Sequence, residues 1–391
     1  MNVNRSTPPR ILILLMNYSP GDNSAPTSRA IALHKEIHTH FPDTYLMMKH
    51  GDTPSREKDC YLLQPLIPSK GKYRAIRTLK GIISRIWMTI EIMKFVRRKK
   101  ITTVILRGFD TALLFPFLKL QRVKTFYDFH GKLAFETIQQ KRYILAAFEH
   151  LCDTINLYLA DRILVVSDGI QSQIPEYQYK CLLIENGVDI EMIEEAKNIM
   201  PLIDIPGDKY VVGFIGNWEE FMNIEDICKA VLLKNNIAAL IIGAGYRFEE
   251  IKKRYSVTKN IIFTGNIDQK DAYGLLHVVD VGIIPYDKND SHSKCKNFFS
   301  SRKTKEYLAL GKPIIVSDII GREQFIIENT NCLLYESRNP KDLAEKISIL
   351  KNNPSMAQEM SKNNRELAKK FTWNNIIKKS GILEELTEQS Y

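Results

Sequence analysis

Short apolar runs alternate with helical patterns along almost the whole chain, and few folds accept that rhythm. The run at 10–17 (RILILLMN) carries no charged residue after Arg10. An unbroken apolar strand of this kind belongs in a parallel sheet covered by helices on both faces; a half-exposed antiparallel strand would alternate apolar with polar. Further runs at 45–48, 103–107, 124–129, 162–167 and 182–185 form a first series, and 210–216, 238–243, 260–264, 281–285 and 313–317 a second. Helices are expected from about Ser28, at 223–233, 247–255, 270–278 and 303–310, and through a polar tail beyond Pro340. Alternation of this type specifies an α/β chain with parallel sheets. A length of 391 residues accommodates about two such domains. The pattern weakens at 191–208, where Pro201 and Pro206 mark a linker. The expected domains are 1–190 and 191–370, both doubly wound, with 371–391 as a C-terminal helix packing back toward the first. Ligands of such sheets sit at the carboxyl ends of the strands.

With 44% apolar and 26% charged residues, the chain is neither disordered nor collagenous nor a disulfide scaffold. Six cysteines lie far apart with no CxxC pair, which reads as free thiols in a reducing cytosol. The run Ile11 to Met16 is far short of the 18 or so residues that span a bilayer and lacks the cleavage site of a signal peptide. A cytoplasmic protein is expected.

The net charge is +10, and the excess is concentrated. Between Lys70 and Lys100 stand eleven basic residues against one acid, Glu91. Ile76, Leu79, Ile83, Ile86, Ile90 and Met93 recur within this stretch at helical spacing. One reading is a helix that packs this stripe inward and presents a basic face to an anionic membrane at the inner side of the cell. Five basic contacts at about 1 kcal/mol each would dock it reversibly, near the millimolar end. The other reading is a solvated face of a core helix. No zinc finger, RNP-like aromatic motif or recognition-helix pattern supports nucleic acid as a partner.

Two stretches invite chemistry. Gly243-Ala244-Gly245 follows a strand and opens a helix, but the third glycine and the later acid of a dinucleotide fingerprint are missing. A phosphate approaching a helix N-terminus suits it better than a nicotinamide cofactor. The stretch 300–318, SSRKTKEYLALGKPIIVSD, places Arg302 and Lys303 at a helix start and Glu306 one turn on. A cation pair there suits a diphosphate, and the carboxylate can accept both hydroxyls of a ribose diol; an exposed helix with an i,i+3 ion pair is the alternative.

The segment 306–313, EYLALGKP, resembles the EYxAxGKP signature of GT-B glycosyltransferases, particularly glycosyltransferase family four. Other segments agree in order: 160–167 (ADRILVVS), the NGVD turn at 186–189, the FIG strand end at 214–216, and FTW at 371–373. The resemblance implies two Rossmann-like domains facing a central cleft, with a nucleotide-diphosphate sugar held by the second and an acceptor by the first. It places the ribose-binding Glu on Glu306 and an active-site histidine on His130. The family's glycine-rich loop falls at 19–23, retaining only Gly21, with Asp22 able to touch an acceptor hydroxyl. The first Glu of its E-x7-E motif falls on Phe298, and the Arg and Lys that follow its FIG strand end are absent from 217–223, NWEEFMN. Gly216, Asn217, Gly243, Arg302, Lys303 and Glu306 are therefore the donor-binding candidates, and His292, in the loop before Phe298, a candidate for the sugar. No DxD occurs, so no metal is expected; side chains and helix ends must meet the leaving-group charge.

The expected activity is metal-independent, retaining transfer from a nucleotide sugar to a saccharide or lipid-linked saccharide, as in bacterial surface-polysaccharide synthesis. A nucleotide-sugar 2-epimerase or hydrolase on the same fold, and a non-catalytic partner protein, are the alternatives.

Overall fold

The computed structural model describes residues 8–20, 24–51, 59–66, 74–132, 137–138, 141–199, 203, 207–291, 294–296 and 298–388, with backbone alone at 74–79 and 82. The chain divides into two compact units. The first comprises residues 1–166, 170–185 and 377–391, and the second 167–169 and 186–376.

The first unit is built on seven strands: β1 (Ile11–Leu15), β2 (Thr44–Lys49), β3 (Cys60–Leu63), β4 (Thr103–Arg107), β5 (Lys124–Phe129), β6 (Arg162–Val165) and β7 (Cys181–Leu183). Their order is β3-β2-β1-β4-β5-β6-β7, and every pairing is parallel. Ile11 pairs with Thr44 on one side and Thr103 on the other, so the strand order reverses at β1. All five residues of β1 are buried, as the unbroken apolar run requires. The C-terminal segment joins this unit through Lys124, whose Nζ donates to the Glu385 carbonyl at 2.6 Å, and through Arg162, whose Nε lies 2.8 Å from the Glu385 carboxylate.

The second unit repeats the plan with β8 (Tyr210–Ile215), β9 (Ile237–Ile242), β10 (Ile261–Gly265), β11 (Val281–Ile284), β12 (Ile314–Ser317) and β13 (Cys332–Tyr335), in the order β10-β9-β8-β11-β12-β13, again parallel. Both sheets are doubly wound, and each has a switch point beside its first strand, at the carboxyl edge of β1/β4 and of β8/β11.

Three local expectations need correction. The first helix is Ala25–His40 and starts earlier than Ser28, because Ser24 caps it by accepting from the Thr27 amide and Pro26 suits its first turn. The stretch 191–208 does not begin as linker, since Asp189 caps a helix at Ile190–Glu195 by accepting from the Met192 amide. The basic helix, Arg74–Lys99, is turned relative to the expected stripe. Its inward side chains are Met88, Ile92, Phe95 and Val96, while Ile83, Ile86 and Ile90 are exposed. No helix among the described residues is long and apolar enough to cross a membrane.

Candidate functional site

In the second unit the site grows from the carboxyl ends of β8 and β9. Gly216 ends β8 at φ +126°, and a Cβ there would lie 3.0 Å from Lys303 Cε. Gly243 ends β9 at φ +107°, and its missing Cβ would fall 2.2 Å from the Gly216 carbonyl oxygen. Glycine is needed at 243 so that two strand-end backbones can touch. Gly245 packs in the same way against the backbone of Trp218, whose amide donates to the Ala244 carbonyl. Asn217 is exposed in the loop between them.

The helix Arg302–Ala309 points its first turn at this corner. Ser301 caps it through the Thr304 amide, and the Ser301 amide and Thr304 hydroxyl both donate to the buried Glu323 carboxylate at 3.0 Å. Arg302 Nη2 lies 3.1 Å from Glu306 Oε1, and the Tyr273 hydroxyl donates to the same oxygen at 2.8 Å. Burial works against the Arg302 charge, but Glu306 and Tyr273 outweigh it and hold the guanidinium above its ordinary range. Glu306 Oε2 has no partner among the described residues, and one carboxylate oxygen therefore stays open to a ligand.

Lys303 differs from its neighbour. Its ammonium stands 5.6 Å over the Phe214 ring and makes no hydrogen bond or ion pair among the described residues. Burial pulls its proton affinity below the usual lysine range, against the attraction of Glu219, Glu306 and Glu323. A half-buried, unpartnered cation beside a strand-end glycine and a helix N-terminus is an anion site in chemical terms.

Most of the signature around it is structural. The Tyr307 hydroxyl donates to the Gly213 carbonyl at 2.7 Å, and its ring fills the space that a side chain on Gly282 would need. Lys312 donates to the His277 carbonyl at 2.8 Å. Lys305, fully buried, donates to the Asn186 carbonyl at 2.7 Å, and Asn186 Nδ2 donates to the Ser300 carbonyl at 2.8 Å. The NGVD turn is thereby tied to the start of the helix, and Gly187 lies flat against Trp373 of the FTW segment. Phe298 is half-buried, and its carbonyl accepts from the Ser167 hydroxyl at 2.7 Å. A separate cavity lined by Tyr210, Asp280, Lys312 and Arg365 lies at the amino edge of the same sheet and shares none of the donor-binding candidates.

The first unit holds its own cluster at the end of β5. Asp128 is buried between two guanidiniums, with Arg29 Nη2 at 3.1 Å from Oδ1 and Arg107 Nη1 at 2.9 Å from Oδ2. Arg29 also donates to the Glu185 carbonyl at 3.1 Å. His130 Nε2 lies 3.1 Å from Asp128 Oδ2 and against Arg107 Nη1. Burial and Arg107 push the imidazole down to about 3, against the pull of Asp128. The ring is therefore neutral near pH 7; if Nε2 accepts from Arg107, the proton sits on Nδ1, which has no partner among the described residues. At 24% side-chain exposure that edge is reachable as a donor.

Because the folded-state value is depressed, the unfolded chain binds more protons between about pH 3 and 6.5, and stability is lost as pH falls through that window. Relative to His130→Asn, the wild type should lose roughly 1.5–2 kcal/mol between pH 6.5 and 5, read by urea unfolding at both pH values.

Of the sequence-derived candidates, Gly216, Gly243, Lys303, Arg302 and Glu306 come together in the second unit, with Asn217 at their rim. Gly21, Asp22 and His292 lie outside the described residues. The two arginines and Asp128 were not singled out from sequence, although Arg107 and Asp128 are charges inside otherwise apolar strands, which is a usable signal.

Residues 195–367 match the family model of glycosyl transferases group 1. An uncharacterised glycosyltransferase of Methanocaldococcus jannaschii is 23% identical over 288 residues, 70% of this chain and 71% of that one. A Bacillus subtilis glycosyltransferase whose name connects it with teichuronic acid biosynthesis is 26% identical over 170 residues, 41% of each chain. Among solved structures, sucrose-phosphate synthase from Thermosynechococcus elongatus superposes with a TM-score of 0.72 at 16% identity, over 97% of this chain and 98% of that one. Anabaena HepE in complex with UDP-glucose gives 0.68 at 13%, over 96% and 99%. The structural likenesses speak for the fold, and the family match covers most of the second unit. Residues 195–367 thus resemble the glycosyl transferases group 1 domain, and the chain has the GT-B fold of the solved structures on which it superposes.

Proposed function

We propose that the second unit binds a nucleotide-diphosphate sugar at Lys303, Arg302, Glu306 and the Gly216–Gly243 corner, and that the sugar passes to a saccharide or lipid-linked saccharide acceptor. The unpartnered Lys303 ammonium beside Gly216 carries this reading, because a diphosphate supplies the charge that it lacks. Glu306 Oε2 is assigned to the ribose diol, and His130 Nδ1 to a donated hydrogen bond on substrate. The reaction is taken as retaining and metal-independent. Two cations at a helix N-terminus can meet the leaving-group charge, and the sequence offers no DxD. The UDP-glucose bound by HepE and the teichuronic acid name of the Bacillus relative support a UDP-sugar donor and a surface-polysaccharide setting.

A thermal-shift panel of nucleotide sugars, with and without magnesium, tests this. A donor present at about 100 times its dissociation constant should stabilise by about 2.7 kcal/mol and raise Tm by a few degrees, equally in EDTA. Silence across the panel would remove the donor-binding reading and favour the partner-protein alternative, for which Phe298 in place of the first Glu is the motivating observation. Product analysis without acceptor separates transfer from epimerisation or hydrolysis.

A further inference from the structure

The helix Tyr143–Leu159 is inside out. Its inward face carries Glu149, Asp153 and Asn156 beside Ala146, Cys152 and Leu157. The polar members are used there: Asp153 accepts from the Tyr127 hydroxyl at 2.7 Å, and Asn156 donates to the Gly108 carbonyl at 3.3 Å. The outward face instead carries Ile144, Phe148, Leu151 and Tyr158, at spacings of four, three and seven residues, with Ile144 91% exposed. Phe148 meets Phe109 edge-on at 6.3 Å, which joins this face to the segments Phe109–Leu113 and Phe115–Leu120. Those segments expose Leu113, Phe117 and Leu120. Three neighbouring elements of the first unit therefore turn large apolar side chains outward together, which an ordinary soluble surface avoids.

The charges around the patch decide what covers it. Every acid of the three segments, Asp110, Glu149 and Asp153, is buried. Arg122 follows the second segment, and Lys141 and Arg142 precede the long helix, all three exposed. Asp161, just past the long helix, is paired with Lys119 at 2.5 Å. A second copy of the chain docking by a two-fold axis would set this basic rim against itself. An anionic lipid surface complements it: apolar side chains enter the acyl boundary while Lys and Arg stay among the headgroups.

We propose that the apolar patch formed by Phe109–Leu120 and Tyr143–Leu159, with its rim of Arg122, Lys141 and Arg142, is a surface that inserts into the interface of an anionic bilayer. It adjoins the basic helix Arg74–Lys99, whose Arg85 acts electrostatically on Asp110 and Cys152, and it rests on the transferase reading only in that it would bring a lipid-linked acceptor to the first unit.

The test is flotation of the full chain with vesicles of phosphatidylcholine plus phosphatidylglycerol, against phosphatidylcholine alone. The wild type should float with the anionic vesicles. Ile144→Glu and the Phe148→Glu/Leu151→Glu double variant should each lower the bound fraction at least about tenfold, and Arg142→Glu should remove the anionic preference. Ile144 is so exposed that its replacement leaves packing untouched, and unchanged melting curves verify the fold of each variant. Flotation of the Glu variants equal to wild type, or no flotation of the wild type, overturns the proposal. So does a dimer in light scattering that Ile144→Glu dissolves, since the occupant is then a second copy. Donor thermal shifts on the same variants stand apart: if they survive while flotation fails, the transferase reading holds and only the lipid surface falls.

Discussion

Lys303→Ala should lower kcat/KM for the nucleotide-sugar donor about 100- to 1,000-fold, some 2.7–4 kcal/mol of barrier, the scale for one preorganised group facing developing charge. The argument rests on how differently the two cations at the helix start are occupied. Arg302 already spends its charge on Glu306 at 3.1 Å. The Lys303 ammonium sits over Phe214 without a partner among the described residues, and burial depresses its proton affinity. A ligand anion relieves that penalty, and more so as charge builds on the leaving group. Because Lys303 satisfies no protein acceptor, its removal leaves nothing unpaired, and the unfolding free energy should change by no more than a surface substitution does, about 0.5 kcal/mol. Loss of turnover with unchanged stability is the signature to seek in steady-state assays of nucleoside-diphosphate release. Turnover equal to wild type would move the leaving-group site elsewhere. Arg302→Ala should behave otherwise, since it strips Glu306 of a neighbour and disturbs ribose binding together with diphosphate binding.

The α/β architecture was legible because strands buried on both faces read as mainly apolar runs, and the bounds of β4 and β5 match the expected runs residue for residue. The strands missed, β3 and β13, are four-residue strands at the rims of their sheets. The basic helix misled for a different reason. It is apolar on more than one side, so periodicity marked Ile83, Ile86 and Ile90 as readily as Met88 and Ile92, and only tertiary packing chooses between them. At the site, Arg302, Lys303 and Glu306 were readable since one helical turn brings them together. Gly243 was readable as a special residue but not as the packing partner of Gly216, a contact between loops after neighbouring strands. The buried clamp of Arg29, Arg107 and Asp128 joins the first helix to two strands across 99 residues of sequence, a distance over which no local pattern operates.

That clamp supports the second large effect. Asp128→Ala should destabilise the first unit by about 3–5 kcal/mol, the range found when one partner of a buried ion pair is removed. Arg29 is 1% exposed, and its guanidinium would retain the Glu185 carbonyl but lose the carboxylate that balances its charge. Arg107 and His130 would lose the same group. Asp128→Asn tests charge apart from shape, since the amide keeps the volume and still leaves two cations uncompensated. The dependence on pH is fixed in sign. Burial alone would raise the Asp128 carboxyl, but the Arg29 and Arg107 guanidiniums hold it well below the usual carboxylate range. Its stabilisation is therefore fully present above the unfolded value of about 3.9 and fades as pH falls through the lower folded one. Urea unfolding should show a gap between wild type and Asp128→Asn that is constant from neutral pH down to about pH 5 and narrows in stronger acid. Replacing Arg29 by Met in the Asp128→Ala background should recover part of the loss, because the stranded buried charge goes with it. If the double variant is no more stable than Asp128→Ala alone, the cost lies in packing at the end of β5 rather than in the unpaired guanidinium.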